Sequence, residues 1–552
     1  MRLKAKGMSG TGSLTRGAFL IAAWLFVGAC LGAGSVQAAP KSLLSEIGGA
    51  GTQGGQFNSA RGLAVNQLTG DLYVADGGNN RIQQLTSDGT FIRAWGTDVI
   101  AAGKPGDTGT GFEICEVAED CKAGTSTGGA AGQVAQPMGL AIDQTNGYVY
   151  VTSNTNRRVD VFSSEGDFAG AFGWGVDTGA SMLDLCTTTS TCQRGAAAGP
   201  DAGRISGWIA SDPAIDPSAP PGTIYVPDSG VNLRVSKFAT TIAGGQLSAV
   251  TFLKAFGWDV APGPVDEEQE IRVRATAGQF TLSFGGDTTT DLPFNASAAE
   301  VETALNDLPS INSGGGSVTV SGGAGNASGS NLYVVRFSGG PLAGTDVANL
   351  LAADGTTPLT GGTPASSVTV TVRANGGTST ELESCTAASG CKAGTSGGGI
   401  GQFVSGGSPI STSVDSTGAV YVVSGPLQNA NNNCAPATPC RVFKFDSSTS
   451  SATILGPDTV AGKVGEVAAL DVAVDPSNDH VLVSRRTETG KFHLTEYDSG
   501  GSLVEAHPGD PLASASTTAF HGLEVGTDDR LYVSQTGTSL YLLGEVPKPP
   551  QP

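Results

Sequence analysis

Residues 62–95 read GLAVNQLTGDLYVADGGNNRIQQLTSDGTFIRAW, and this stretch decides the fold. Its short apolar runs alternate with turn residues and predict strands at Gly62–Val65, Asp71–Asp76, Arg81–Leu85 and Thr90–Trp95. The second of these runs returns five more times along the chain, as Tyr148–Val151, Thr223–Val226, Ala419–Val422, His480–Val483 and Arg530–Val533. A phrase that recurs in this way indicates an architecture of similar units placed side by side.

Each repeat can be written as four short strands, which is the composition of one blade of a β-propeller. We align the first strands of the six repeats as Gly62–Val65, Gly139–Ile142, Pro213–Asp216, Thr412–Asp415, Val472–Asp475 and Gly522–Val525. The predicted fold class is therefore all-β, a six-bladed propeller with blades 1–3 in residues 40–264 and blades 4–6 in residues 377–545.

The sixth repeat lacks a fourth strand before the proline-rich residues 546–552. Fourth strands elsewhere carry two apolar residues four positions apart followed by glycine, and Leu43, Ile47 and Gly48 match this pattern. We predict that a strand at residues 42–48 completes the sixth blade and leaves no sheet edge open between the two ends.

Residues 265–376 interrupt the repeats and have a different character. They contain five strand-like runs and one helix, for which Ser297 is the predicted N-cap and Glu300 the partner three residues on. Val301, Leu305 and Leu308 form the apolar stripe of this helix. The segment is predicted to be a small α+β domain inserted between blades 3 and 4.

Residues 1–39 have the order of a secretory signal, with cations first, then the apolar run Ala18–Leu31, then Val36–Ala39. Cleavage before Cys30, after Val27–Ala29, is the alternative and would leave a lipid-anchored cysteine. Either cleavage exports the protein, so the expected location is extracellular or the cell surface. No other stretch has the roughly 20 apolar residues that a membrane span requires.

The composition is acidic, with 50 Asp and Glu against 30 Lys and Arg and a net charge of −20. Such a surface repels phosphate backbones, which argues against nucleic acid as a partner. The simplest interpretation of the charge is solubility.

Apart from Cys30, the cysteines form four pairs of equal spacing, namely Cys115 and Cys121, Cys186 and Cys192, Cys385 and Cys391, and Cys434 and Cys440. In an exported chain this pattern predicts four local disulfides, each worth about 2 kcal/mol by chain entropy. Zinc is the alternative, but zinc pairs usually have closer spacing and often recruit histidine, which these loops lack.

The residues Gly55–Phe57, Gly62–Val65, Leu72–Asp76, Asn79–Ile82 and Gly89–Phe91 resemble an NHL repeat of the type found in exported bacterial propellers. Residues 132–172 contain a second good copy, whereas the fifth and sixth copies are degenerate. The resemblance implies the propeller fold. It does not select a function, because NHL propellers include protein-binding and RNA-binding modules, sensor domains and lyases.

The topology predicts a working face. Loops between blades and loops from the second to the third strand emerge on the same side of an up-and-down propeller, and all four cysteine pairs lie in such loops. Long loops on a rigid scaffold commonly carry recognition, although stapling for survival outside the cell is an equal explanation. We therefore expect a non-catalytic binding scaffold, secreted or tethered to the surface, for an extracellular protein or carbohydrate.

The alternative is a propeller lyase or hydrolase that uses a metal in the central channel, since neutral imidazoles from several strands suit zinc. The chain has four histidines, and His521 alone stands where a channel ligand is expected, at the start of a first strand. A hydrogen-bonded core histidine is the simpler interpretation, so catalysis and a resident metal are not expected.

Recurring polar residues follow the second strands, and they are the binding candidates of the sequence, namely Asp76, Asn79, Asn80, Arg81, Asn154, Asn156, Asp228 and Asn232. Short Asp and Asn side chains satisfy turn backbones, and arginine can bridge blades, so a structural role is the simpler explanation. Ligand contact is the alternative, and calcium is the cofactor that such oxygens would suit.

Overall fold

The computed structural model describes residues 41–544 except 127, 189–190, 197–198, 206–211, 262–265, 375–381, 388–389, 398–399, 404–408, 426–440, 456–465, 488–491, 508–511, 513–519 and 536–537. The predicted signal, Cys30, the pair Cys434 and Cys440, and the proline-rich tail lie outside the described residues. No helix in the described part of the chain has the length and apolar character needed to cross a membrane.

The first strand, β1 (Ser42–Gly48), precedes two antiparallel sheets of five strands in chain order. The first sheet contains β2 (Ala60–Val65), β3 (Leu72–Asp76), β4 (Arg81–Leu85), β5 (Phe91–Thr97) and β6 (Phe112–Cys115). The second sheet contains β7 (Pro137–Ile142), β8 (Val149–Ser153), β9 (Arg158–Phe162), β10 (Phe168–Trp174) and β11 (Leu183–Cys186).

The third sheet begins with β12 (Ala214–Ile215), β13 (Thr223–Asp228), β14 (Arg234–Ala243) and β15 (Gln246–Trp258). Its fifth strand comes more than a hundred residues later in the chain and pairs through Trp258 with Leu382. The intervening segment therefore leaves and returns to the same sheet.

The intervening segment forms two sheets of its own and two helices, α1 (Ala298–Asn306) and α2 (Pro309–Asn312). Its strands are β16 (Glu268–Arg274), β17 (Gln279–Phe284), β18 (Asp287–Thr288), β19 (Leu292–Pro293), β20 (Ser317–Gly322), β21 (Leu332–Ser338), β22 (Leu351–Asp354) and β23 (Ser367–Ala374). The capping box of Ser297 and Glu300 is present, which confirms that prediction. Val301 and Leu305 are buried in an apolar cluster that belongs to this segment.

The third sheet is completed by β24 (Leu382–Cys385), and two four-stranded sheets follow. The fourth sheet has β25 (Ser411–Val414), β26 (Val420–Ser424), β27 (Arg441–Phe445) and β28 (Ala452–Ile454). The fifth has β29 (Glu466–Val474), β30 (Val481–Thr487), β31 (Phe492–Tyr497) and β32 (Leu503–His507). The sixth has β33 (Phe520–Val525), β34 (Leu531–Gln535) and β35 (Ser539–Gly544), and its fourth strand is β1.

The pairing of β1 with β35 is antiparallel and joins Ile47 to Leu540. Ile47 is buried against Phe57 and Leu540 in one apolar cluster. The first and last strands that the structure describes thus belong to the same sheet.

The first strands of the six sheets contact one another in series, β2 with β7, β7 with β12, β12 with β25, β25 with β29, β29 with β33 and β33 with β2. Glycine permits this approach, because a Cβ on Gly62 would lie 2.5 Å from the Cα of Gly139. An apolar cluster fills the space between each two successive sheets, including the sixth and the first.

The predicted strands of the first repeat are confirmed to within two residues at each end. One feature was not predicted. Each of the first three sheets has a fifth strand, β6, β11 or β24, that ends at a cysteine and pairs with the fourth strand. These strands are only four residues long, and apolar and polar residues alternate in them only weakly. Their pattern is therefore too short to identify them from sequence.

Candidate functional site

The turn after the second strand of the first sheet encloses a buried polar cluster. The Asp76 carboxylate accepts from Nε of Arg81 at 2.9 Å and from Nδ2 of Asn79 at 2.9 Å, and neither side chain of the ion pair is exposed. The Arg81 guanidinium also donates to four backbone carbonyls, of Thr52, Gln53, Gln56 and Lys122. Burial raises the pKa of Asp76 and lowers that of Arg81, while their mutual attraction opposes both shifts.

The second and third sheets repeat this cluster. Arg234 pairs with Asp228 at 3.0 Å, and Asn232 donates to the same carboxylate at 2.8 Å. In the second sheet Arg158 pairs at 2.8 Å with Asp160, two residues further along the same strand, β9, and Asn156 donates to the carbonyl of Gln133. Each guanidinium is therefore held by one carboxylate and by carbonyls from the loops around it.

A disulfide hairpin covers each of these three clusters. The bonded pairs are Cys115 with Cys121, Cys186 with Cys192, and Cys385 with Cys391, so three of the four predicted pairs are present. Seven residues after each first cysteine, a carbonyl accepts from the arginine below, as Lys122, Gln193 and Lys392 do. The hairpins are thus attached in the same way three times.

A glycine nine residues after each first cysteine completes the attachment. The N–H groups of Gly124, Gly195 and Gly394 donate to the carbonyls of Asn79, Asn156 and Asn232 at 2.7–2.8 Å. A Cβ at these glycines would approach a turn carbonyl to between 2.4 and 2.8 Å, which no side chain could occupy. The hairpin and the turn from the second to the third strand therefore lie on the same side of each sheet.

Six of the eight sequence candidates, namely Asp76, Asn79, Arg81, Asn156, Asp228 and Asn232, are almost completely buried inside these clusters. Asn80 accepts from the N–H of Gln136 at 3.0 Å and so joins the first sheet to the second, whereas Asn154 donates to the side chain of Gln136 at 3.0 Å within the second repeat. These contacts support the structural interpretation. A direct ligand role for the eight residues stays a prediction.

A second candidate site lies where the first strands of all six sheets meet. A cavity of about 240 Å³ is bounded there by residues of β2, β7, β12, β25, β29 and β33. Its walls include the apolar side chains of Leu63, Leu140 and Leu523, and also the carboxyl groups of Asp212, Asp471 and Glu524. Exposed residues of the turns after the first strands, such as Thr145 and Pro217, form one end of the cavity.

Asp143 and Asp216 also line the cavity, and the carboxyl groups of Asp212, Asp471 and Glu524 differ in their contacts. Asp471 accepts from the backbone N–H groups of Val472 at 2.8 Å and Leu523 at 2.5 Å, so it joins the fifth sheet to the sixth. Glu524 accepts only a long contact of 3.5 Å from the N–H of Val65 among the hydrogen bonds of the described residues. Oδ1 of Asp212 is buried and has no hydrogen-bond partner among the described residues.

Burial raises the pKa of Asp212, Asp471 and Glu524, and the charge of Asp471 raises those of Asp212 and Glu524 further. The pKa of Asp471 rises to about 7 and that of Glu524 to about 8, in both cases mainly through burial. The pKa of Asp212 also lies well above its usual value, through burial first and then the charges of Asp471 and Glu524. Arg61 attracts the Asp212 carboxylate, and burial lowers the pKa of Arg61.

His521, the metal candidate of the sequence, lies at the start of β33 near Arg61. Burial and the charge of Arg61 lower the pKa of His521 to about 3, so its imidazole is neutral at pH 7. No group of three or more His, Cys, Asp and Glu side chains among the described residues is arranged to hold a metal ion.

The sequence analysis did not identify the cavity acids, because it aligned the first strands of the third, fourth and fifth sheets one residue out of register. Pairing with the second strands shows which residues of the first strands are equivalent. The position of Glu524 in the sixth sheet is held in the other five sheets by Ala64, Ala141, Ala214, Ser413 and Ala473, of which the last three were misaligned. Our alignment was wrong there because it matched the apolar Val65 with Asp216 instead of Ile215.

In the corrected register the acids stand out clearly. Glu524 is the single charged residue in a position otherwise held by alanine or serine. Two residues earlier, Asp212 and Asp471 take the place of the glycines Gly62, Gly139 and Gly522. An acid in a position reserved for small residues is the signal that could have identified this site.

A scan against family models matches residues 57–85 to the NHL repeat. The chain thus carries an NHL repeat, and the repeat spans the first to the third strand of the first sheet. Together with the similar sheets that follow, it identifies an all-β fold of the NHL propeller type.

No curated protein matches the sequence. Solved structures that resemble the fold include a streptogramin B lyase, with 12% identity and a TM-score of 0.32 over 89% of this chain and 97% of that one. A gluconolactonase from Xanthomonas campestris has 10% identity and a TM-score of 0.32 over 92% and 97% of the two chains. The β-propeller domain of Swd1 from Myceliophteria thermophila has 8% identity and a TM-score of 0.34 over 89% and 98%. Likenesses at this level assign no function.

Proposed function

We propose that this chain is an exported six-bladed propeller with a small α+β domain inserted between blades 3 and 4, and that it binds an extracellular protein or carbohydrate without chemistry of its own. The six similar sheets, the contacts that run from β2 through β33 back to β2, and the separate apolar cluster of the intervening segment support this architecture.

The observation that carries the binding function is the threefold repetition of the disulfide hairpin. Each hairpin is closed by a disulfide and attached to a buried arginine and to the adjacent turn. Loops that are ordered before they meet a ligand pay less conformational entropy on binding. Three rigid loops on one side of a scaffold are therefore well suited to recognition.

Exposed apolar side chains occur at these hairpins. Val117 lies inside the first hairpin and is 49% exposed, Met182 precedes β11 and is 57% exposed, and Val231 lies in the turn beside the third hairpin and is 60% exposed. Apolar side chains of this kind are suited to contact with an apolar surface of a protein ligand, so we place the protein before the carbohydrate in the test.

A crosslinking experiment tests this proposal. A photoreactive amino acid replaces Val117, Met182 or Val231 in residues 40–552, and a matched control carries it at Leu68, which is 78% exposed in the turn at the other end of the strands. Incubation with intact cells of the source organism should yield one discrete protein adduct from the hairpin positions and none from Leu68.

The outcomes separate the alternatives. A glycan adduct from the hairpin positions supports binding of a carbohydrate instead of a protein. Equal labelling from Leu68 and Val117, or no adduct from any hairpin position, contradicts a recognition role for the hairpins and leaves stapling as their function.

A further inference from the structure

The central cavity has the size of a small-molecule site. Its volume of about 240 Å³ equals that of about eight water molecules at ~30 Å³ each, so it holds a ligand of about ten non-hydrogen atoms at most. The walls are largely apolar, because Leu63, Leu140 and Leu523 line it. Exposed turn residues at one end give access from the protein surface.

The charges around the cavity do not balance. Five acidic side chains line it. Asp216 is paired with Lys237, and Asp143 accepts from the backbone N–H groups of Gly222 and Thr145. The remaining three, Asp212, Asp471 and Glu524, are left with one cation, Arg61, whose charge acts on Asp212. The nearby His521 is neutral at pH 7 and supplies no second positive charge. If all three carboxyl groups ionised, the cavity would carry a net negative charge in a setting poor in water, which is costly without a counter-ion.

Two of these carboxyl groups have hydrogen-bonding capacity that the described part of the protein does not use. Oδ1 of Asp212 is fully buried and has no hydrogen-bond partner there. Glu524 receives only the 3.5 Å contact from Val65. Asp471, by contrast, is occupied by two backbone N–H groups and serves to position the sixth sheet. Among the hydrogen bonds of the described residues, Asp212 and Glu524 therefore have fewer partners than Asp471 has.

We propose that the central cavity binds a small organic ammonium ion with an apolar tail, the ammonium group donating to Asp212 and Glu524 and the tail lying along Leu63, Leu140 and Leu523. An ammonium has three donors and a full positive charge, which satisfies both acceptors and the charge balance. The apolar walls disfavour a metal ion, which would have to lose its hydration water against leucine side chains.

Binding of such a cation is coupled to proton release. The charged groups that act on one another here are Asp212, Asp471, Glu524 and Arg61, with His521 beside Arg61. Asp143 and the ion pair of Asp216 with Lys237 complete the charged groups at the cavity. Glu524 holds its proton at neutral pH in the empty cavity, and an ammonium ion favours the ionised form. Affinity therefore rises between pH 6 and pH 8.

The test is isothermal titration calorimetry of residues 40–552 with hexylammonium chloride, with hexan-1-ol as the neutral analogue and calcium chloride as the metal. Two buffers of different ionisation enthalpy report the protons released. We expect hexylammonium to bind at least tenfold more tightly than hexan-1-ol and to release protons at pH 7. Equal binding of hexan-1-ol, or binding of calcium but not hexylammonium, would overturn the proposal.

Two variants assign the site. Asp212→Asn and Glu524→Gln imitate the protonated acids, so we expect both to fold, as circular dichroism can verify. Each should weaken hexylammonium binding at least tenfold, whereas Glu165→Gln, which removes an exposed carboxylate elsewhere, should not change it. Unchanged affinity in both cavity variants contradicts the proposal. Because the cavity and the hairpins contain different residues, crosslinking at the hairpins can succeed or fail independently of this result.

Discussion

The first three sheets and the last three solve the problem of buried charge differently. In the first three, a buried arginine lies beneath a disulfide hairpin and is matched by a carboxylate and several carbonyls. In the last three, the described residues form sheets of four strands without a fifth strand at the edge, and two of the unusual charges, Asp471 and Glu524, face the central cavity.

This difference shows that the fold needs only four strands per sheet. The fifth strand and hairpin are additions that help to hold a buried arginine, as the four carbonyls around Arg81 show. Glu524 and Asp212 lack such partners. A buried charge held by an ion pair and several carbonyls is explained by the fold, whereas a buried acid with few partners requires another explanation, and we propose a ligand.

Removing residues 41–48 should have the largest effect, because it takes the fourth strand from the sixth sheet. Loss of buried Ile47 and of the ladder with β35 is expected to lower the free energy of unfolding by roughly 5 kcal/mol. Urea denaturation measures it, and hydrogen exchange should show loss of protection in the sixth sheet first. Leu44→Ala, at a partly exposed position of the same strand, is the control. An unchanged urea midpoint would show that β1 contributes nothing to the sixth sheet.

Arg81→Ala should have the second largest effect on stability, because it leaves the Asp76 carboxylate buried without its cation. The expected loss is about 4 kcal/mol in urea denaturation, as for other broken buried ion pairs. The control is Arg530→Ala in the sixth sheet, whose ion pair with Asp528 is partly exposed and should be worth less than about 1 kcal/mol. Similar losses for both arginines would remove the distinction between the two halves.

Opening one hairpin should lower the free energy of unfolding by a smaller amount. Replacing Cys115 and Cys121 by serine removes a staple with a sequence separation of 6, which corresponds to about 2 kcal/mol. The loss should disappear when both proteins are compared under reducing conditions, which tests whether the disulfide itself is responsible. A loss that persists after reduction would point to packing of the cysteine side chains instead.

The last prediction concerns pH and the cavity acids. Because the folded-state pKa values of Asp471 and Glu524 are raised to about 7 and about 8, their contribution to stability is complete below about pH 4 and is lost as the pH rises through these values. The free energy of unfolding should fall by up to about 1.4 kcal/mol per pH unit and per group between pH 5 and pH 8.

Glu524→Gln should flatten this decline, since glutamine has no proton to lose. Urea midpoints measured at pH 5, 7 and 9 provide the comparison, with Glu165→Gln as the exposed control that should retain the wild-type profile. If the cavity variant and the control lose stability in parallel, Glu524 is not the titrating group.

Local patterns made much of the fold predictable. The strands of the first repeat, the capping box at Ser297 and the cysteine spacing all depend on residues close together in the chain, and the structure agrees with each where it describes them. The polar residues at Asp76 were recognised as turn residues, but the carbonyls that surround Arg81 come from loops more than 25 positions away and could not be foreseen.

The cavity was harder to predict for a related reason. Whether Asp212 or Pro213 matches Gly62 depends on the register between the first and second strands. The pairing is irregular between Ala60 and Leu63, and such an irregularity cannot be recognised from the pattern of apolar residues. A single residue of error moved Asp212 and Asp471 out of the alignment and concealed Glu524 as an exception.

The pairing of β1 with β35 sets the order in which the protein can be made. Ile47 and Leu540 are about 490 residues apart, so the earliest strand to leave the ribosome must wait for nearly all of the chain before it finds its neighbour. Until β35 has been made, the edge of β1 that will pair with it has no partner and is open to strands of other molecules. Protection of residues 42–48 until the last strand is available should therefore improve the yield of folded protein.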